Sequence, residues 1–323
     1  MFSTSAETTH WLAPAKINLF LHIVGRRADG YHNLETIFQF LDFADELTFR
    51  VRNDGKTQRI VCSTADLAHV PAGDDLTVRA AEALKAEIGT PLGADISITK
   101  RIPMGGGLGG GSSDAATVLV GLNQVWNLGL DTERLAEIGL TLGADVPVFV
   151  RGQAAFASGV GERLLPVVLE EPWYLVIHPG CSVPTAAVFN AQDLTRDTSP
   201  IKIHTLFQGE SDDGRLALSS SQLSTWLRND CEPVVRSQYP PVDAAFTWLS
   251  QFANPRMAGT GACLFAPFPD RQAAERVLAM LSEREQTGME DDWSGFIARG
   301  RNRSSLMDSL SHAKGMGGVG LIY

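Results

Sequence analysis

The stretch Pro103-Met-Gly-Gly-Gly-Leu-Gly-Gly-Gly-Ser-Ser-Asp114 carries six glycines in the seven positions 105–111. It lies between a predicted strand over 94–100 and a predicted helix over 112–126. Each glycine costs conformational entropy on folding, so this density indicates a loop whose backbone N–H groups approach a bulky anion. The start of the next helix adds unpaired N–H groups and the positive end of its dipole. Phosphate is the anion that this arrangement favours.

Two common nucleotide loops fit this stretch poorly. It lacks the G-x-x-x-x-G-K-[ST] pattern of a Walker A loop. Gly105, Gly107 and Gly110 satisfy G-x-G-x-x-G, the pattern of dinucleotide-binding dehydrogenases. However, the preceding segment 95–100 is half polar, whereas a buried parallel strand is nearly all apolar. No acidic residue ends a second strand about 20 residues further on, as a ribose contact would require, which argues against a dehydrogenase.

Composition predicts an ordinary globular chain. Its 323 residues suggest two domains, and 44% hydrophobic with 20% charged residues argues against disorder. The net charge of −10 predicts no binding to nucleic acid or to an anionic membrane, since both would repel the chain. Any positive charge for an anionic substrate must therefore be local. No stretch approaches the 18 apolar residues of a membrane span.

The cysteines and the N-terminus predict a cytoplasmic protein. The four cysteines are Cys62, Cys181, Cys231 and Cys263. They form no C-x-x-C pair, and their spacing suits neither a disulfide framework nor a zinc site. Reduced packing cysteines fit a reducing compartment. Residues 1–12 contain no basic residue and no apolar run, so we predict no signal peptide.

Hydrophobic periodicity predicts a mixture of strands and helices. Strands are predicted over 15–23, 36–51 (broken near 42–45), 94–100 and 173–177, with a glycine turn running into a strand over 257–268. Helices are predicted over 75–88, 112–126 and 131–142. Asp75 and Asp131 are the predicted N-caps and Gly143 the predicted end of the third helix. The segment 191–222 has no clear period, and four glycines in 311–323 predict a flexible tail. Without a regular β-α-β alternation, the order predicts an α+β fold.

Three segments together resemble one superfamily. They are Pro14-Ala-Lys-Ile-Asn-Leu19, the glycine stretch extended to Ala116, and Gly259-Thr-Gly-Ala-Cys263. In this order they resemble the GHMP kinases, a superfamily of small-molecule kinases, over about residues 12–305. The third segment departs from the usual pattern, because Ala258 stands where serine or threonine is common.

The resemblance implies a two-domain α+β fold with the active site in the cleft between domains. The N-terminal ATP-binding domain would span 1–165, the C-terminal ferredoxin-like domain 166–310, and the tail 311–323. ATP would be the phosphoryl donor, and Mg²⁺ is expected because a bare triphosphate is too anionic to react readily. Asp114 or a loop serine would contribute to holding the metal ion.

Two further segments narrow the expected substrate. Gly30-Tyr31-His32 and Leu142-Gly-Ala-Asp-Val-Pro-Val-Phe-Val150 are similar to the branch that acts on a cytidine diphosphate polyol. That branch phosphorylates the 2-hydroxyl of the methylerythritol part in the non-mevalonate isoprenoid pathway. Two alternatives remain at this point: a GHMP kinase for another alcohol, of the homoserine or mevalonate type, and a non-catalytic nucleotide-binding protein. The Tyr31-His32 turn disfavours the first alternative, and the presence of both Lys16 and Asp145 disfavours the second.

The resemblance also assigns site residues. Lys16 and Asp145 are the catalytic candidates: Asp145 would take the hydroxyl proton, and Lys16 would favour its loss. The ATP-binding candidates are Pro103, Met104, Gly105, Gly106, Gly107, Leu108, Gly109, Gly110, Gly111, Ser112, Ser113 and Asp75. The substrate-binding candidates are Asn18, Tyr31, His32, Thr185 and Phe189. Asn18 would bond the polyol, Tyr31 and Phe189 would stack on cytosine, His32 would bond its edge, and Thr185 would reach a phosphate. Taken without the resemblance, Asp145 is typical of a turn or cap, and Lys16 of a solvated strand face.

Overall fold

The computed structural model describes residues 10–61, 73–202, 216–286 and 292–317. The strands are β1 (His10–Arg26), β2 (His32–Arg52), β3 (Gln58–Val61), β4 (Gly93–Thr99), β5 (Ala155–Gly159), β6 (Arg163–Leu169), β7 (Trp173–His178), β8 (Leu216–Leu218), β9 (Arg256–Met257), β10 (Leu264–Phe268) and β11 (Ser294–Arg301). The helices are α1 (Leu76–Ile88), α2 (Gly110–Val125), α3 (Thr132–Leu142), α4 (Val146–Arg151), α5 (Thr185–Asn190), α6 (Ser220–Leu223), α7 (Glu232–Gln238), α8 (Pro240–Leu249), α9 (Arg271–Gln286) and α10 (Ser305–Gly317).

The sheet is built around β2. This strand pairs antiparallel with β1, β4, β5 and β11. One path of neighbours runs β8-β6-β5-β2-β11-β7-β10-β9, with β1 and the β3-β4 pair joined to β2 off that path. Parallel pairing occurs between β3 and β4 and between β6 and β8. The mainly antiparallel sheet with helices in irregular order confirms the predicted α+β class.

The predicted helix ends follow capping chemistry. Asp75 caps α1 by accepting the N–H of Thr77, and Asp131 caps α3 by accepting the N–H of Arg134. Helix α2 begins at Gly110, two residues before the predicted start. Its segment 113–122 is buried throughout, which places the helix inside the fold rather than on its surface.

The predicted strand break near 42–45 is absent. Strand β2 continues there, and only its pairing with β1 slips, between Pro14 opposite Ala44 and Lys16 opposite Phe40. Such a slip is a bulge that bends the strand without ending it. The acidic Asp45 is fully buried because its carboxylate accepts the N–H groups at 101 and 102, at 2.5 and 2.8 Å. Asp45 is therefore a buried hydrogen-bond acceptor within the fold and not a turn residue.

The C-terminal segment differs from the predicted flexible tail. Helix α10 continues to Gly317, and residues 318–323 lie outside the described ranges. Leu306 is fully buried, and Leu310 and Ala313 pack on the same core. These positions recur at helical spacing, so apolar packing holds the helix beyond residue 311.

Three further points concern membrane spans, the domain boundary and the cysteines. Within the described ranges, no helix combines the length and apolar character needed to cross a membrane. The predicted domain boundary near residue 165 stays a prediction. Of the cysteines, Cys181, Cys231 and Cys263 are free, and Cys62 lies outside the described residues.

Candidate active site

One cavity of about 870 Å³ gathers most of the predicted site residues. Its lining includes Lys16, Asn18, Tyr31, His32, Thr36, Phe38, Lys100, residues 103–112, Asp114, Asp145, Thr185, Phe189, Gly259 and Thr260. The three motif segments are far apart in sequence, so the fold itself brings them to one cavity.

The glycine loop has a backbone conformation that favours glycine at three of its positions. Gly105, Gly107 and Gly109 have positive φ angles of 66°, 75° and 75°, which side chains with a Cβ rarely adopt. A Cβ on Gly107 would lie 2.0 Å from the carbonyl oxygen of Ala258. The loop therefore lies directly against the third motif.

The start of α2 is open toward the cavity. Gly109 occupies the N-cap position, and no side chain caps the helix. The residues 110–112 line the cavity. The first N–H groups of a 16-residue helix are thus available to an anion.

Lys16 and Asp145 form an ion pair in this cavity. The Lys16 ammonium lies 3.2 Å from Asp145 Oδ2, 2.7 Å from Asn18 Oδ1 and 3.1 Å from the Gly107 carbonyl oxygen. The lysine is buried, whereas the Asp145 side chain is 33% exposed. Asp145 stands at the N-cap of α4, yet its side chain accepts no capping hydrogen bond. The sequence context of Asp145 suggests that its carboxylate caps a helix. In the structure the carboxylate does not act as a cap.

Asn18 belongs to the same group but has both ends of its amide engaged. Its Oδ1 accepts from Lys16, and its Nδ2 donates to Thr36 Oγ1 at 2.9 Å. Asn18 and Lys16 lie two residues apart on β1, so they share a strand face. The amide thus fixes the position of the ammonium.

Away from the lysine–aspartate pair, the cavity is lined by an aromatic cluster of Tyr31, His32 and Phe189. Tyr31 is 66% exposed and lies in a turn that Asp29 closes by accepting its N–H at 3.1 Å. The imidazole of His32 stacks on Phe189, with ring centroids 5.1 Å apart and planes 20° from parallel. Thr185 shares a 3.0 Å hydrogen bond with Thr260 of the third motif.

Two predicted ATP-binding residues lie outside this lining. Asp75 is buried, where it caps α1 and pairs with Arg59 at 2.9 Å; its neighbour Leu76 lines the cavity instead. Ser113 is fully buried behind the loop, whereas Ser112 lines the cavity. Because helix positions one residue apart point in different directions, only one of the two serines faces the cavity.

Sequence reasoning missed a buried charged cluster at the base of the loop. Lys100 pairs with both Asp45 and Asp114, the latter at 2.8 Å. Burial raises the pKa of Asp114 to about 7, against the opposing effect of Lys100. The sequence signal was Lys100, three residues before the glycine stretch begins at Pro103, but its partner Asp45 is 55 residues away.

The third motif is held by Asn229. Its Nδ2 donates to the carbonyl oxygens of Met257 at 2.9 Å and Gly259 at 2.7 Å. Ala258, which replaces the usual serine or threonine, is fully buried between them and lies against Gly107.

Comparisons with known proteins match this architecture. The family model of the GHMP kinases N terminal domain matches residues 75–153, and that of the GHMP kinases C terminal matches residues 212–286. The crystal structure of Methanococcus jannaschii mevalonate kinase has a TM-score of 0.63 at 14% identity, covering 92% of this chain and all of that one. It shares the fold. The two family-model matches, together with the uncapped helix start and the lysine–aspartate pair, indicate a GHMP kinase.

Relatives at higher identity narrow the assignment. A curated relative from Alkalilimnicola ehrlichii, named 4-diphosphocytidyl-2-C-methyl-D-erythritol kinase, is 54% identical over 93% of this chain and 94% of its own length. A second relative with the same name, from Halorhodospira halophila, is 51% identical over 95% of this chain and 98% of its own length. A crystal structure titled 4-(cytidine 5'-diphospho)-2C-methyl-D-erythritol kinase has a TM-score of 0.67 at 29% identity, covering 90% of this chain and 98% of that one. The chain belongs to the 4-diphosphocytidyl-2-C-methyl-D-erythritol kinase family, which confirms the resemblance.

Proposed function

We propose that this protein transfers the γ-phosphoryl group of ATP to the 2-hydroxyl of 4-diphosphocytidyl-2-C-methyl-D-erythritol. The products are the 2-phosphate and ADP, and the reaction belongs to the non-mevalonate route to isoprenoid precursors. The relatives favour this substrate over a homoserine or mevalonate derivative. The free cysteines of the described chain support action in the cytoplasm.

One observation carries the proposal. A single cavity holds an anion cradle, a paired lysine and aspartate, and an aromatic cluster. Phosphoryl transfer between a nucleotide and an alcohol needs the first two, since it depends on positioning and on charge stabilisation. The aromatic cluster supplies a place for a base.

The glycine loop and the start of α2 would bind the ATP phosphates. Residues 110–112 line the cavity at the start of this helix, and no side chain caps the helix there. The overall charge of −10 repels a triphosphate, so this local positive potential must offset it.

We predict that Gly107→Ala lowers ATP affinity by about tenfold or more, the loss that about 1.4 kcal/mol would cause. The added Cβ would lie 2.0 Å from the Ala258 carbonyl oxygen, so the loop must move. Gly129→Ala is the matched control, because Gly129 has nearly the same φ of 74° but open space around its Cβ and no place in the cavity. Calorimetric titration with a non-hydrolysable ATP analogue measures both. Equal affinities for Gly107→Ala and wild type would contradict this cradle.

The chemistry is assigned to Asp145 and Lys16. Asp145 accepts the proton of the attacking hydroxyl, because its carboxylate is partly exposed in the cavity and free of capping duty. The Lys16 ammonium, 3.2 Å away, stabilises the negative charge that develops on the attacking and transferring oxygens. Asn18 and the Gly107 carbonyl hold that ammonium in place.

Magnesium fits the oxygen atoms at the start of α2. Ser112 lines the cavity, and Asp114 Oδ1 is buried there without a hydrogen-bond partner. Mg²⁺ prefers oxygen ligands and keeps several waters, so it needs few protein ligands beside the phosphates. When bound with ATP, the ion neutralises phosphate charge, and Ser112 and Asp114 are the residues that would hold it.

The aromatic cluster would bind cytosine. Tyr31 and Phe189 offer π-faces, Tyr31 from an exposed turn and Phe189 from α5. Thr185, at the start of that helix, has a hydroxyl group for the diphosphate.

Tyr31→Ala tests the base pocket. Stacking on an aromatic ring contributes about 1–3 kcal/mol, so we expect KM for the cytidine substrate to rise about 5–150-fold. The contact is equal in ground and transition state, so kcat and the KM for ATP should stay near wild type. Phe252→Ala is the control, because Phe252 is also exposed, at 38%, but lies outside the cavity. Steady-state kinetics decide: an unchanged KM in Tyr31→Ala would remove Tyr31 from the pocket.

A further inference from the structure

Arg196 connects the two sides of the aromatic cluster. Its Nε donates to His32 Nε2 at 3.2 Å. Its terminal nitrogens donate to the carbonyl oxygens of Phe189 at 3.1 Å, Ala191 at 2.6 Å and Leu194 at 3.0 Å. One guanidinium thus fastens the first residue of β2 to the C-terminal end of α5.

The bond to Nε2 determines where the His32 ring carries its proton. A guanidinium is always charged and has donors only, so Nε2 must accept and cannot bear a hydrogen. In the neutral ring the proton therefore lies on Nδ1. Burial, Arg196 and Arg26 together lower the pKa of His32, which favours that neutral form.

The nearly parallel rings of His32 and Phe189 make a hydrogen bond from His32 compatible with stacking on Phe189. The His32 and Phe189 planes are only 20° from parallel. A base that is hydrogen-bonded edge to edge in the His32 plane would also lie nearly parallel to Phe189. One orientation of the base then satisfies the hydrogen bond and the stacking together.

We propose that Arg196 is a positioning residue for base selectivity: it fixes His32 as the Nδ1–H tautomer, so that the pocket accepts a pyrimidine with an unprotonated N3 and rejects one with N3–H. Cytosine has that free N3, whereas uracil carries a hydrogen there. If uracil were bound, its N3–H would face the Nδ1–H of His32, and neither donor would have an acceptor. Unpaired polar groups of this kind lower the affinity of a polar site strongly. This proposal rests on the proposed function, because it assumes that the base lies at His32.

The kinetic test compares the cytidine and uridine forms of the diphosphate-linked methylerythritol substrate. For Arg196→Met we expect the ratio of kcat/KM, cytidine over uridine, to fall about tenfold, the worth of one hydrogen bond. The change should appear in KM for the cytidine form, with kcat and the KM for ATP near wild type. A purely structural role would raise KM for both forms equally and leave the ratio unchanged, which would overturn the proposal.

Arg228→Met is the matched control. Arg228 donates to Thr198 Oγ1 at 2.9 Å, and Thr198 lies two residues after Arg196 in the sequence. Arg228 makes no hydrogen bond to His32. Its removal should leave the cytidine-to-uridine ratio at the wild-type value. Should Arg196→Met fail to fold, Arg196→Lys takes its place, since one ammonium cannot replace four directed hydrogen bonds and the ratio should still fall.

Nitrogen-15 NMR of histidine-labelled protein reads the tautomer directly, with His32→Gln to assign the signals. We expect wild-type His32 to be protonated on Nδ1, and Arg196→Met to gain the Nε2–H form. Wild-type His32 protonated on Nε2 would overturn the proposal. The kinetic measurements separate this proposal from the proposed function. A wild-type enzyme that phosphorylates free methylerythritol as efficiently as the nucleotide-linked form contradicts both. A wild-type enzyme that selects cytidine, with an equally selective Arg196→Met, contradicts only the role of Arg196.

Discussion

Replacing Asp145 with asparagine should lower kcat by about 10²–10⁴, the usual contribution of a general base. Asparagine keeps the shape of the side chain but cannot take the hydroxyl proton. ATP affinity should change little, because the proposed phosphate cradle is the loop and the start of α2. Stability should fall modestly, because asparagine makes no less of a cap than aspartate does here but removes the charge that pairs with the buried Lys16 ammonium at 3.2 Å.

Asp131→Asn is the control for this change. Asp131 is an exposed N-cap on α3, outside the cavity, and asparagine caps a helix about as well as aspartate. Single-turnover measurement of phosphoryl transfer compares both variants with wild type. Near wild-type turnover in Asp145→Asn would remove Asp145 as the base.

Lys16→Met should lower kcat by about 10²–10³, the loss seen when a preorganised charge-stabilising group is removed. Methionine fills similar space without the ammonium that lies 3.2 Å from Asp145. The change also leaves Asn18 Oδ1 and the Gly107 carbonyl oxygen without their donor. We therefore expect a modest loss of melting temperature beside the loss of kcat.

Lys85→Met separates these two effects. Lys85 also donates to a backbone carbonyl, that of Gly55 at 2.7 Å, and pairs with Glu82 at 3.0 Å, but it lies outside the cavity. Its loss should affect melting temperature only. If Lys16→Met raised KM for ATP and left kcat intact, Lys16 would bind the nucleotide without stabilising the transition state.

Local chemistry made much of this fold predictable from sequence. The caps at Asp75 and Asp131 depend on residues within three positions of each other, and both are confirmed. The glycine loop is equally local: its composition predicted a backbone that can approach an anion, and the structure adds positive φ angles at Gly105, Gly107 and Gly109. The resemblance added Lys16 and Asp145, which the structure places 3.2 Å apart.

Long-range pairing explains what sequence reasoning missed. From the sequence, Asp45 suggested a break in β2, because an aspartate without a visible partner is typical of a turn. Its partner Lys100 is too far away in the sequence to be recognised. Arg196 lies 164 residues from His32, in a segment without clear periodicity, so no local pattern joins them. Asp75 shows the opposite case: a strong local cap signal explains the residue fully, and it lies outside the cavity lining.

In the proposed function, one cavity joins phosphoryl transfer to recognition of a cytidine-linked alcohol. Transfer of ³²P from γ-labelled ATP, measured side by side with 4-diphosphocytidyl-2-C-methyl-D-erythritol and free methylerythritol, tests it most directly. We predict label on the 2-hydroxyl of the nucleotide-linked substrate, with kcat/KM at least about tenfold higher than for the free polyol, since one stacking contact alone contributes that much. Equal efficiency with free methylerythritol would contradict the account, because the aromatic cluster would then contribute nothing to substrate recognition.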